Sequence, residues 1–246
     1  MKIIFISIFT FLLSADDIND SEKELPIIDL RKGLVFESKI NLQKSFNEDR
    51  NAKSGLITNE EIEVIKKNAK EFISSPIKSN EIALLETTHG IMKIKLFDDI
   101  APMNCSNFKK LANSGFYDNT LFHRLIPEFI LQGGDILTRD GQDDNDGLGN
   151  PGWTVDAEFS NLKHKRGTFS MHRTKNDINS AGSQFFITLS KQEHLDNNYT
   201  IIGEIVDGLN VLDVISNIPS QSKIAFRMLK TKIPVGQSDD QWDEIV

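Results

Sequence analysis

The stretch "LFHRLIPEFILQGGD", residues 121–135, places His123 and Arg124 inside an otherwise apolar run. Side chains alternate along a strand, so Phe122, Arg124 and Ile126 share one face while Leu121, His123 and Leu125 share the other. A guanidinium is planar, permanently protonated and rich in donors, which suits electrostatic or hydrogen-bond stabilisation and not nucleophilic attack. Hiding it unpaired is costly. Residue types alone leave two solutions open: a carboxylate partner, with Asp135 and Glu158 as candidates, or a stem that carries the charge out to water.

Other chemistries find little material. The five histidines are His89, His123, His164, His172 and His194. No two of them have the close helical spacing of a zinc site and no cysteine assists, so no metal and no cofactor are expected. Cys105 is the single cysteine, which excludes an internal disulfide. It shares helical spacing with Phe108 and Leu111 in "APMNCSNFKKLANSG" and reads as a buried structural thiol. No serine or cysteine stands in a recognised arrangement with a base, so no covalent intermediate is expected.

The elements that must position Arg124 follow from the rest of the chain. It has 246 residues, 39% hydrophobic and 26% charged, enough for one substantial core and an appendage. A formal net charge of -8 argues against nucleic acid or an anionic membrane surface as the main partner. After Lys78 come short strand-like runs: "IALLETT", "IMKIKLF", "TLFHRLI", "FILQGG", "GTFSM", "QFFITL", "YTIIGEIV" and "IAFRMLK". Helical stretches near Pro102–Asn113 and Leu209–Ser216 interrupt them. Many short strands with local turns predict a mainly β fold, a closed eight-stranded antiparallel barrel capped by two helices. The boundaries expected are 16–80 for a polar extension, 81–232 for the barrel domain and 233–246 for an acidic tail, on which Trp242 is a docking candidate. Within the extension, Thr58 with Glu61 forms a capping box, and Ile62, Ile65, Ala69 and Phe72 make an amphipathic helix over about 59–74.

The first residues, "MKIIFISIFTFLLSADD", carry Lys2, an uncharged apolar run from Ile3 to Leu13, then Ser14 and Ala15. That order reads as a secretory signal peptide over residues 1–15, with a periplasmic destination. Leu13 suits cleavage after Ala15 poorly, so a membrane anchor made by residues 1–15 is the alternative.

The blocks "ETTHGIMKIKLFDDIAPMNCSNFKKLANSGFYDNTLFHR", "LFHRLIPEFILQGGD", "GLGNPGWTVDAEF", "LKHKRGTFSM", "SAGSQFFITLS" and "HLDNNYTIIGEIVDG" follow one another over about residues 81–230. Together they resemble the cyclophilins, barrel-shaped peptidyl-prolyl cis/trans isomerases. "RT" at Arg173 and Thr174 with "NSAGSQFF" looks more like bacterial-type members. The resemblance implies that Arg124, Gln132 and Phe129 are catalytic, with Gln132 orienting the arginine. It implies a proline cup of Phe129, Phe186 and Leu195 beside Ile130. Gln184 and the main chain at His172 and Arg173 would extend a peptide groove, and Tyr199 would close it. The implied partners are proline-containing segments of client proteins, with the chain acting as a monomer. Its departures are His172 for the usual alanine, which narrows the groove, Glu128 for a common glycine, and a "TKNDINSAGSQ" loop one residue longer. His194 stands in place of tryptophan, which predicts weak cyclosporin binding. A rival reading is a module that binds such peptides without turning them over.

Overall fold

The computed structural model describes residues 56–78, 81–218 and the backbone of 224–229. The expected leader at 1–15, most of the polar extension and the 233–246 tail with Trp242 lie outside the described residues. Among the described residues no helix is long and apolar enough to cross a membrane.

Among the described residues nine strands form one curled antiparallel sheet: β1 (Ile82–Thr87), β2 (Gly90–Leu96), β3 (Leu121–Phe122), β4 (Arg124–Ile126), β5 (Ile130–Gly133), β6 (Thr168–Met171), β7 (Phe185–Thr188), β8 (Ile201–Asp207) and β9 (Ile224–Leu229). Their order is β3-β9-β1-β2-β8-β6-β7-β5-β4. The count differs from the eight expected because the run at 120–126 is broken: Leu121 and Phe122 pair with β9, Arg124 to Ile126 pair with β5, and His123 belongs to neither. The first and last strands of the order are therefore neighbours along the chain.

Alternation separates core from surface across four of these strands. Leu125 faces Leu131, Leu131 faces Ile187, and Ile187 faces Phe169, and all are buried in the main core. Phe169 also packs against Phe185 and Phe108, with ring centroids 4.7 and 5.1 Å away.

Three helices complete the described fold: α1 (Asn59–Glu71), α2 (Pro102–Asn113) and α3 (Leu209–Ser216). The capping box at Thr58 and Glu61 is formed, but Phe72 turns extended at ψ 125°, so α1 stops short of residue 74. Ile62 and Ala69 are buried in the same core as the sheet, so α1 is part of the domain's packing and not a detached spacer. The segment after α1 is held by Lys109 of α2, whose Nζ donates to Glu81 Oε1 at 2.6 Å, Pro76 O at 3.0 Å and Ser75 Oγ at 3.2 Å. Both charged side chains are almost fully buried, the lysine at 2% exposure and the glutamate at 0%. Breaking one partner of such a pair is costly because it strands the other.

At the start of α2, Ala101 offers no side-chain cap, so its orphan N–H groups need an outside acceptor. Glu158 supplies it, accepting from Met103 N at 3.1 Å and Asn104 N at 2.9 Å. A carboxylate there also suits the helix dipole. Cys105 is fully buried, its Sγ facing Ile202 O at 3.3 Å, and burial pushes the thiol up to about 12. That makes it an inert core residue.

Candidate active site

The residues between those inward-facing positions make a second row. Arg124 faces Gln132, Gln132 faces Phe186 and Phe186 faces Ser170 across β4, β5, β7 and β6. Directly opposed residues point to one side of a sheet, so this row lies on the face away from the core.

Arg124 is exposed, which corrects the reading of residues 121–126 as a buried strand. It meets neither candidate carboxylate. Asp135 is fully buried and accepts from the backbone N–H groups of Leu137, Gly147 and Gly149, while Glu158 caps α2. The guanidinium instead donates from Nη1 to Gln132 Oε1 at 3.3 Å. Gln132 Nε2 donates to Gln184 Oε1 at 3.0 Å, and Gln184 Nε2 donates to the carbonyls of Gly147 and Gly149, each at 2.9 Å. Both amides are buried and satisfied. The relay fixes which side of Gln132 presents its carbonyl, and so where the arginine is held.

Next to this row lies a small apolar cluster separate from the main core. Ile130, Phe186 and Leu195 are buried in it, with Ile126, Phe129 and Tyr199 packed against them. The Tyr199 ring meets Phe186 edge-on at 5.3 Å, and Phe129 stacks on exposed His194 at 5.5 Å. Glu128 leads into this cluster at φ 58°, in the left-handed region that favours glycine; its carbonyl accepts from Gln192 Nε2 at 2.9 Å and from Ser190 Oγ.

A second guanidinium lies beside the cluster. Arg173 lies over the Tyr199 ring at 4.9 Å, and its Nε donates to Asn198 O at 2.9 Å. His172 is half-buried, its N–H donating to Gln184 O at 2.9 Å. Burial, then the charges of Arg124, His123 and Arg173, bring its imidazole down to about 4. It is neutral at pH 7.

One group escaped the reading from sequence. Ser170 Oγ lies 3.1 Å from His164 Nε2, and His164 Nδ1 lies 3.1 Å from Asp196 Oδ1. This is a serine–histidine–aspartate order, but Ser170 and His164 are at 0% and 1% exposure, so no substrate reaches the hydroxyl. Burial holds the imidazole below its usual range, consistent with Nδ1–H donating to Asp196 and Nε2 accepting from Ser170. The histidine ring lies nearly parallel to Phe186 at 6.0 Å, so the chain acts as a polar backing for the apolar cluster. The available signal was strand alternation, which puts Ser170 opposite Phe186. Among the described residues no three His, Cys, Asp or Glu side chains converge as a metal site.

Comparison with known proteins identifies the family. The family model described as cyclophilin type peptidyl-prolyl cis-trans isomerase/CLD matches residues 82–234. The chain belongs to that family of isomerase enzymes. Peptidyl-prolyl cis-trans isomerase-like 3 of Gallus gallus is 41% identical over 146 residues, covering 56% of this chain and 84% of that protein. A peptidyl-prolyl cis-trans isomerase of Synechococcus elongatus is 40% identical over 125 residues, covering 51% of this chain and 80% of that protein. Peptidyl-prolyl cis-trans isomerase-like 2 of Rhizopus delemar is 38% identical over 160 residues, which is 62% of this chain and 28% of that protein. The present chain thus spans only about a quarter of that longer relative. Among solved structures, a cyclophilin type isomerase of Cryptosporidium parvum crystallised in the presence of the dipeptide Ala-Pro aligns with TM-score 0.55 and 35% identity, covering 60% of this chain and 96% of that one. These relatives are both eukaryotic and cyanobacterial, so they do not single out a bacterial-type subgroup.

Proposed function

We propose that the chain rotates X-Pro bonds of other proteins, with Arg124 as the stabilising donor and the Ile130, Phe186 and Leu195 cluster with Phe129 as the proline cup. The observation that carries this is an exposed guanidinium, tied to the buried Gln132–Gln184 relay, beside an apolar cluster outside the core. Rotation breaks amide resonance, and the uncatalysed barrier is about 18–20 kcal/mol. In the twisted transition state the imide nitrogen regains a lone pair that neither planar ground state offers. A donor aimed at that nitrogen therefore stabilises the transition state selectively. One preorganised donor of this kind contributes about 2.7–4 kcal/mol, roughly a hundred- to a thousandfold in rate. Gln132 keeps the guanidinium in place between turnovers, Gln184 and the His172–Arg173 main chain hold the peptide, and Tyr199 and His194 line the rim. No proton transfer and no cofactor enter this mechanism.

The clients we propose are exported proteins, with residues 1–15 directing the chain to a periplasm or anchoring it to the membrane, and the protein acting as a monomer. The apolar run Ile3–Leu13 behind Lys2 supports this, as the "NSAGSQFF" block supports a bacterial-type origin. We also read the sheet as closing at residues 121–126, since its two edge strands are halves of that one stretch.

The test is cis/trans exchange of a short X-Pro peptide, followed by NMR with the purified chain. Accelerated exchange that falls at least tenfold in Arg124→Ala supports the reading; a folded protein that binds the peptide without accelerating exchange replaces it with the peptide-binding module. Fractionation of cells expressing the full chain tests its destination, and recovery with the cytosolic fraction overturns export.

A further inference from the structure

The chain's net charge is -8, yet two arginines, Arg124 and Arg173, lie beside the apolar cluster without a carboxylate partner among the described residues. Among the described residues Arg124 has one hydrogen-bond partner, the neutral Gln132. Arg173 spends Nε and Nη1 on the main-chain carbonyls of Asn198, Thr174 and Lys175. Neither guanidinium has a carboxylate partner among the described residues. Carboxylates on the surrounding loops have other partners: Asp135 accepts from backbone N–H groups, Asp196 pairs with His164 and Lys163, Glu193 pairs with Lys191, and Asp177 accepts from Asn179 N. Arg124 and Arg173 both lie close enough to His172 to disfavour its protonation, after burial itself. Guanidiniums in a protein are ordinarily matched by carboxylates or phosphates, since their fork geometry fits them. Here the match is missing at the place where a peptide would lie.

We propose that the groove selects X-Pro segments carrying an aspartate or glutamate side chain within a few residues of the proline, with Arg173 and Arg124 as the selecting charges. This rests on the groove being the peptide site. A carboxylate reaching the free N–H groups of Arg173 would be held over the Tyr199 rim, while Arg124 remains aimed at the imide. A lysine in the same place meets two cations and no counter-charge.

The experiment uses short Pro-Phe peptides bearing Glu, Gln or Lys at each position flanking the proline, with kcat/KM read by NMR exchange and Kd by shift titration on the same samples. At about 20 mM salt the favoured Glu peptide should exceed its Lys counterpart at least about fivefold, and at about 500 mM the ratio should shrink below about twofold, as screening requires. Arg173→Gln should lower the Glu-to-Lys ratio, and Arg173→Lys should restore much of it. Equal kcat/KM and Kd for all three peptides at low salt would overturn the proposal while leaving an isomerase. Tighter binding of Glu peptides without any turnover would keep the proposal and remove the isomerase reading.

Discussion

Strands β4, β5, β7 and β6 carry two rows of side chains a single residue apart. Leu125, Leu131, Ile187 and Phe169 point inward, while Arg124, Gln132, Phe186 and Ser170 point outward. Apart from Arg124, both rows are largely hidden, but by different means. The inward row is closed by other apolar groups, where shape and volume decide stability. The outward row is closed by neighbours that satisfy its buried polar groups: Gln184, itself tied to the Gly147 and Gly149 carbonyls, for Gln132, and His164 for Ser170. One face thus holds the sheet together, and the other holds a guanidinium and an apolar cup in fixed relation.

The largest effect that could break this division is Phe169→Ala. Its ring is fully buried among Phe108 and Phe185, so unfolding in urea should show a loss of about 3–5 kcal/mol. The kcat/KM of the folded fraction should stay within about threefold of the parent, and a larger loss would mean that the two rows are not separable. Arg124→Ala should do the reverse. Peptide exchange should slow by about a hundred- to a thousandfold, and stability should fall by only about 1 kcal/mol, because the side chain is exposed and the one group left without its donor is Gln132 Oε1.

Gln132→Leu tests the link between the faces. It deprives Arg124 Nη1 of its acceptor and Gln184 Oε1 of its donor, and a stranded buried amide costs about 1–3 kcal/mol. kcat should fall with little change in KM if the role of Gln132 is to aim the guanidinium; an unchanged kcat would refute that role. The smallest effect concerns pH. The unfolded chain protonates His172 near the ordinary 6.5, whereas the folded ring resists until about 4. Stability therefore falls as pH drops from about 6.5 to about 4, because the unfolded state takes up the proton first. In His172→Ala the fall in melting temperature over that window should shrink. It should not vanish, since burial also holds His123 and His164 low.

Local pattern carried much of this fold. The Thr58–Glu61 box announced α1, and each strand-like run contains a strand. Arg124, Gln132, Phe129 and Phe186 were legible as a set only through the resemblance of their sequence blocks to a known family, since Phe186 lies more than 50 residues beyond the other three. What local pattern did not show is where α1 goes. Its two buried residues make the segment from Leu56 to Lys78 part of the domain, so removing it would strip the core rather than excise an appendage.

The sequence by itself determined the alternation that separates the two rows and the always-charged donor, since these depend on residue type and neighbours one or two places away; the cup of Ile130, Phe186 and Leu195 is brought together only by the fold. Tertiary structure alone decided the partners. Glu158 caps a helix 55 residues earlier, Asp196 reaches His164 across 32 residues, and Gln184 meets Gln132 across 52. It also decided that the strand breaks at His123, because Leu121–Phe122 and Arg124–Ile126 hydrogen-bond to different partners. Nothing in residue type ranks one distant acceptor over another. Only the closed packing, which leaves each buried donor few acceptors within reach, makes that choice.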